Sequence, residues 1–195
     1  MHSVLRSLLF VLSIGVIGSI ALPGCAPAGE PPAEEAAAQE MAPPVDDGAL
    51  AADLLKDWEG LKDTMMALGD AMPAEKFGYK PTDALRTFGE QLMHITGAQA
   101  RMIGMLDAGA TPPDLGEPTE KADVMAAMAA SFDFGSEVLR GKSSAWFQEV
   151  VAGPSYMGDS TRARIVYRAL THTWSEYGVM TVYLRLNEIV PPASQ

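Results

Sequence analysis

The sequence predicts an all-α fold, a four-helix bundle with a long crossover before the last helix. Apolar side chains recur at three- and four-residue spacing in four segments after residue 48, which is typical of amphipathic helices. No convincing pair of strands interrupts them. Hydrophobic residues make up 48% of the 195 residues, enough to form one core. Four such helices bury their apolar stripes against one another.

Each predicted helix follows from its stripe and its boundary residues. Gly69 and Pro73 end the first helix, and Thr82, Thr119 and Ser160 are the expected N-caps of the next three. The fourth helix is expected to end near residue 187. The first three stripes are Leu50, Leu54, Trp58, Leu61, Met65 and Leu68; Phe88, Leu92, Ile95, Gln99, Met102 and Leu106; and Val124, Met128, Phe132 and Leu139.

The connection before the fourth helix is about 18 residues long, which permits a crossover. A strand-like segment is expected within it, from Phe147 to Val151. The helical domain as a whole is predicted to span residues 48–195.

The first 24 residues read as a lipoprotein-type signal peptide. An apolar run of 15 residues, Leu8 to Leu22, is shorter than the roughly 18 residues of a spanning helix. It ends in "LPGC", which is similar to a bacterial lipobox and predicts lipidation of Cys25. The alternative is an ordinary cleavage site beside a chance cysteine. We therefore expect export to the bacterial cell envelope and a lipid anchor in the membrane, facing the periplasm from the outer membrane where one exists.

Residues 25–47 are rich in Ala, Pro and Glu, and this composition predicts a disordered tether. The formal net charge of −11 disfavours nucleic acid and anionic lipid surfaces as partners, because both require a basic footprint. Since Cys25 is the single cysteine of the chain, an internal disulfide and a Cys-rich zinc site are excluded.

Two predicted helices each carry a histidine with a carboxylate one turn away. These pairs are Glu90 with His94, and His172 with Glu176. Residues four apart share one face of a helix, so two such faces in one bundle can supply ligands to a zinc, nickel, iron or manganese ion. The alternative is an ordinary polar patch, because an isolated His/Glu pair usually makes a surface hydrogen bond.

Four segments between residues 50 and 195 carry a resemblance to a known family: "MPAEKFGYKPT", "RTFGEQLMHITGAQ", "THTWSEYG" and "VYLRLNEIVPPAS". They resemble the DinB superfamily, the DinB/YfiT-like metalloenzymes. The resemblance implies a bundle with a crossover, often dimeric, and a divalent metal held by one histidine of the second helix and two of the fourth. Some members resemble thiol S-transferases, and others resemble isomerases or hydrolases.

His94 and His172 match two of the three ligands that the resemblance implies. The third position departs from the family pattern, because Glu176 stands where a histidine is expected. Either Glu176 replaces that histidine as a ligand, or metal binding has been lost. Glu90 is a further candidate, as a fourth ligand or as an acceptor that orients the imidazole of His94.

The sequence thus predicts an exported, lipid-anchored DinB-like protein that binds a divalent metal and performs hydrolase- or thiol-transferase-type chemistry on an unidentified small molecule. Export disfavours the thiol transferases, because low-molecular-weight thiols are cytoplasmic pools. The alternative is a non-catalytic binding or structural module of the envelope that has lost the metal site.

Overall fold

The structure, a computed structural model, describes residues 48–194. The predicted signal peptide, Cys25 and the tether lie outside the described residues and stay predictions. Within the described part of the chain, no helix has the length and apolar character needed to cross a bilayer.

Four long helices and a few short elements make up this region, as predicted. A short antiparallel pair, β1 and β2, lies in the connection before the last helix, and two single turns of 3₁₀-helix follow the first and last helices. The elements are α1 (Ala49–Ala71), a 3₁₀ turn (Ala74–Lys76), α2 (Phe88–Gly104), α3 (Lys121–Leu139), α4 (Ser144–Gln148), β1 (Val150–Val151), β2 (Ser160–Thr161), α5 (Arg162–Leu186) and a 3₁₀ turn (Pro192–Ser194).

The long helices form a ring in which α1 and α2 each pack against both α3 and α5. Lys121 donates hydrogen bonds to the carbonyls of Asp70 and Met72, so α3 begins where α1 ends. Arg162 donates to the carbonyl of Leu106, so α5 begins where α2 ends. Lys142 Nζ lies 3.1 Å from Asp107 Oδ2, which places the ends of α2 and α3 together. Helices α2 and α3 are therefore parallel to each other and antiparallel to α1 and α5.

This arrangement requires two kinds of connection. The predicted long connection before the last helix contains α4 and the β-pair, and it crosses the end of the bundle from α3 to the diagonally opposite α5. The connection between α2 and α3, residues 105–120, instead returns along the length of the bundle, because these neighbouring helices are parallel. The sequence had indicated only a loop there.

The predicted stripes form the core. All their members are buried except Leu50, which is exposed near the start of α1, and Leu54, which is half-buried. Trp58 and Phe132 pack with ring centroids 5.2 Å apart, and Trp58 Nε1 donates to the Phe132 carbonyl over 2.9 Å. This bond satisfies the one polar atom of a fully buried indole.

Three helix starts differ from the prediction. Thr82 lies in a turn, and the N-cap of α2 is Thr87, whose side chain accepts from the backbone N–H of Glu90. The N-cap of α3 is Glu120 rather than Thr119, and the N-cap of α5 is Thr161 rather than Ser160. For α2, a reciprocal capping box between Thr87 and Glu90 satisfies two backbone donors, which a cap at Thr82 would not.

We expect Gly135→Ala to destabilise the bundle, because a Cβ there would lie 2.2 Å from the buried Trp58 ring. Overpacking of this kind lowers the free energy of unfolding by about 1–3 kcal/mol. Gly60→Ala is the matched control, since its Cβ meets nothing within 4 Å and should stabilise the helix by about 0.5–1 kcal/mol. Urea unfolding measures the free energy of unfolding of both variants. Equal effects of the two substitutions would contradict the packing of Trp58 on α3.

Candidate metal centre

The candidate site lies in the groove between α2 and α5. His94 projects from α2, while His172 and Glu176 stand one turn apart on α5. All three side chains are half-buried. Because α2 and α5 are antiparallel neighbours, the two faces that the sequence marked out meet near the middle of both helices.

The structure brings His94, His172 and Glu176 together. One possible ligand atom from each of the three lies within 4.8 Å of the other two. The imidazole rings of the two histidines are tilted by 59°, with centroids 5.5 Å apart, and His172 Nε2 is 3.6 Å from Glu176 Oε1. Two imidazoles and a carboxylate converging from one side leave the other side open, as in sites that bind a metal and a substrate together.

Gln91 holds the carboxylate in place, a role that the sequence had not indicated. Its Nε2 donates to Glu176 Oε2 over 2.5 Å, and its Oε1 accepts from Arg86 Nη1 over 3.3 Å. Gln91 is buried, so these contacts limit the rotamers of Glu176. One signal was present in the sequence: Gln91 precedes His94 by three residues and shares its helical face.

A second polar contact fixes the register of the two helices beside the histidines. Gln99 Nε2 donates to Thr173 Oγ1 over 3.0 Å, and both residues are fully buried. The Thr173 hydroxyl in turn donates to the carbonyl of Ala169 over 3.0 Å. A slip of α5 along α2 would leave buried polar atoms unpaired, so this contact aligns His172 with His94.

Burial lowers the pKa of both histidines. For His94, desolvation is the largest cause and the Arg86 guanidinium adds to it, while Glu176 opposes the shift. For His172, desolvation again comes first, and the opposing charge of Glu176 is only second. Both imidazoles are therefore neutral at pH 7, and the neutral form is the one that donates a lone pair to a metal.

The residues fit a divalent metal. His172 Nδ1 is buried, and within the described part of the chain it has no hydrogen-bond partner. Such atoms are rare in folded proteins and call for a ligand, an ion or a water. The donor set of two imidazoles and one carboxylate suits zinc, nickel, iron or manganese.

Glu90 does not join this group. Its carboxylate accepts a hydrogen bond from the backbone N–H of Thr87 over 2.7 Å, and its own N–H donates to Thr87 Oγ1 over 3.2 Å. These contacts lower the pKa of Glu90, the backbone hydrogen bond being the largest cause. The side chain is exposed and caps helix α2, where the sequence had suggested a fourth ligand or an acceptor for His94.

Two open clefts meet at His94. The larger, with a volume of about 1010 Å³, lies between the outer face of α2 and the connections on either side of that helix. The smaller, about 240 Å³, lies between α2 and α5 and is lined by both histidines. A small molecule in the smaller cleft would contact both histidines, and one in the larger cleft would contact His94.

Comparison with known proteins identifies this architecture. A DinB-like protein from Bacillus cereus ATCC 10987 superposes on the chain with a TM-score of 0.60, over 72% of this chain and 95% of that one. The chain has a DinB-like fold. Sequence identity to that protein is 15%, so the likeness concerns the fold alone. No protein-family model and no curated protein matches the sequence.

Glu176 is the third member of this group of candidate ligands. Its carboxylate is within reach of both imidazoles and is held by Gln91. The acid thus stands in a position from which it can act as the third ligand.

The lowered histidine pKa values predict a pH dependence of stability in metal-free protein. In the unfolded chain, His94 and His172 bind protons near pH 6.5, whereas in the folded chain they bind protons only at lower pH. The part of the free energy of unfolding that depends on these histidines is therefore fully present above pH 6.5 and is lost as the pH falls through the folded pKa values. In EDTA, we expect a lower free energy of unfolding at pH 5 than at pH 7.5.

The control for that measurement is the double variant His94→Gln/His172→Gln. It removes both titrating imidazoles, so the part of the pH dependence that they cause should disappear. An identical loss of stability between pH 7.5 and pH 5 in both proteins would show that the histidines are not buried as described.

Proposed function

We propose that this domain binds one divalent metal ion through His94, His172 and Glu176 and performs hydrolase- or transferase-type chemistry on a small molecule. The convergence of the three ligand atoms within 4.8 Å carries the proposal. The adjoining clefts support it, because they leave room for a substrate beside the ligands.

A bound ion would supply Lewis acidity, which activates a water or a thiol by lowering its pKa. The remaining functions belong to the protein. The Gln91 amide holds the Glu176 carboxylate in one orientation, and burial keeps both imidazoles neutral. The Gln99–Thr173 contact maintains the spacing of the two helices that carry these groups.

We also propose that the protein is exported and anchored in the envelope by a lipid on Cys25. The "LPGC" segment supports this. An envelope location favours hydrolysis, or an envelope substrate, over transfer from a cytoplasmic thiol. Anchoring through the lipid also agrees with the acidic net charge, which gives no attraction to anionic membranes.

A non-catalytic module remains the second candidate, and one observation favours it. Glu176 Oε2 already accepts from Gln91, and Glu176 Oε1 lies 3.6 Å from His172 Nε2. The carboxylate therefore has polar neighbours on both oxygens without an ion, as expected of a site that has become purely structural.

Metal content separates these two functions. The full-length protein, purified without a polyhistidine tag, should contain close to one equivalent of zinc, nickel, iron or manganese by mass spectrometry. His172→Ala and Glu176→Ala should each lose it. A wild-type protein that contains no metal and takes up none of these four ions would exclude the metalloprotein and leave the structural module.

Two neighbouring residues provide the controls. Gln91→Ala should weaken metal binding by about 10–100-fold, the usual effect of removing a group that orients a ligand. Glu90→Ala should leave metal content unchanged and lower stability by about 1 kcal/mol, because its role is in the capping box. Loss of metal in Glu90→Ala would restore Glu90 as a ligand.

The anchor has a separate test. Cys25→Ala should move the protein from the membrane fraction to the soluble fraction, because no other membrane attachment is proposed. Retention in membranes of a Cys25→Ala protein from which residues 1–24 have been cleaved would contradict lipid anchoring.

A further inference from the structure

The smaller cleft beside the histidines contains two arginines, Arg101 and Arg168. Arg101 lies seven residues after His94 on α2, and Arg168 lies four residues before His172 on α5. Spacings of four and seven keep a residue on the same helical face, so both arginines share the faces that carry the candidate ligands. Because the helices are antiparallel, both lie on the same side of the histidines, opposite the side on which Glu176 meets Gln91.

Within residues 48–194, neither arginine has an acidic side chain at ion-pair distance. Among the seven arginines of residues 48–194, only Arg101 and Arg168 make no side-chain hydrogen bond and no ion pair. Arg168 packs against the Tyr156 ring, with its Cζ 5.9 Å from the centroid. Arg101 also lines a neighbouring groove whose residues include Asp114 and Glu117, yet within residues 48–194 no ion pair joins it to either carboxylate.

The rest of the cleft is apolar and small. Among the described residues, no Asp or Glu lines it. Apart from the arginines and the two histidines, its walls are Ala98, Met102, Met105, Pro154 and Tyr156. The volume of about 240 Å³ is below the roughly 300–1,000 Å³ of pockets for drug-sized ligands. Methionine side chains adapt to irregular apolar shapes, so these walls suit a compact hydrocarbon group.

We propose that this cleft binds a small organic carboxylate. Arg101 and Arg168 would hold the carboxylate oxygens, and the hydrocarbon part would pack on the methionines beside the two histidines. A guanidinium group presents N–H donors in a plane that matches a carboxylate. The inference that this carboxylate is a substrate rests on the proposed function, because His94 and His172 line the same cleft. Binding of the carboxylate itself does not require the metal.

Benzoate is a suitable probe, with benzamide as its neutral analogue of similar shape. Isothermal titration calorimetry of the full-length protein in EDTA measures binding without any contribution from a metal. We expect benzoate to bind at least about tenfold more tightly than benzamide, because hydrogen bonds to a charged group are the stronger kind. Benzoate affinity should also fall as salt is raised.

The test variant is Arg101→Gln/Arg168→Gln, which should bind benzoate at least about tenfold more weakly. Neither arginine has a partner that its loss would leave unpaired, so the fold should persist, and circular dichroism checks this. The control is Arg140→Gln, which removes an exposed arginine paired with Glu59 outside the cleft, and which should change the affinity by less than twofold.

Three results would overturn the proposal. These are equal binding of benzoate and benzamide, unchanged benzoate affinity in the double variant, and binding of inorganic phosphate in place of benzoate. A protein that takes up no metal but binds benzoate through both arginines would refute the proposed metalloprotein and leave the carboxylate site standing. Metal uptake without arginine-dependent benzoate binding would refute the carboxylate site and leave the proposed metalloprotein standing.

Discussion

The register of α2 against α5 is the constraint on which the site depends. His94 comes from one helix and His172 from the other, so their separation is set by how far the helices slide along each other. The buried Gln99–Thr173 hydrogen bond and the Gln91–Glu176 contact lie to either side of the histidines and hold that register. Apolar packing alone tolerates a shift better, because it is not directional. Buried hydrogen bonds do not, since an unpaired polar group in the core costs about 1–3 kcal/mol.

The charged and neutral side chains along this groove follow an order that suits metal chemistry. Glu176 and its amide partner Gln91 lie on one side, two neutral imidazoles lie in the middle, and two unpaired guanidinium groups lie on the other. A divalent ion would be compensated by the carboxylate, and an anionic substrate by the arginines. As a ligand, Glu176 would bring a negative charge that a third histidine would not.

The sequence could predict the helices and their inner faces, because both follow from the 3.6-residue period. The meeting of the two histidines was implied by the family resemblance, since periodicity does not set the register of one helix against another. The return connection between α2 and α3 could not be predicted, since no local pattern specifies that two successive helices run parallel. The role of Gln91 could not be predicted, because an amide within a helical stripe has no sequence signature of its own. The prediction of Thr82 as the N-cap is wrong, although "TFGE" matches a capping box. That capping box also explains why the Glu90 carboxylate caps α2 and does not join the site. The pairing state of Arg101 and Arg168 depends on tertiary neighbours that sequence does not show.

The central claim is that one ion binds His94, His172 and Glu176 together. A crystal of the full-length protein grown with zinc tests it most directly, through the anomalous scattering of the metal. We expect one strong peak, about 2.0–2.2 Å from one nitrogen of each imidazole and from one carboxylate oxygen of Glu176. A peak bound by the histidines without Glu176, or no peak between α2 and α5, would contradict it.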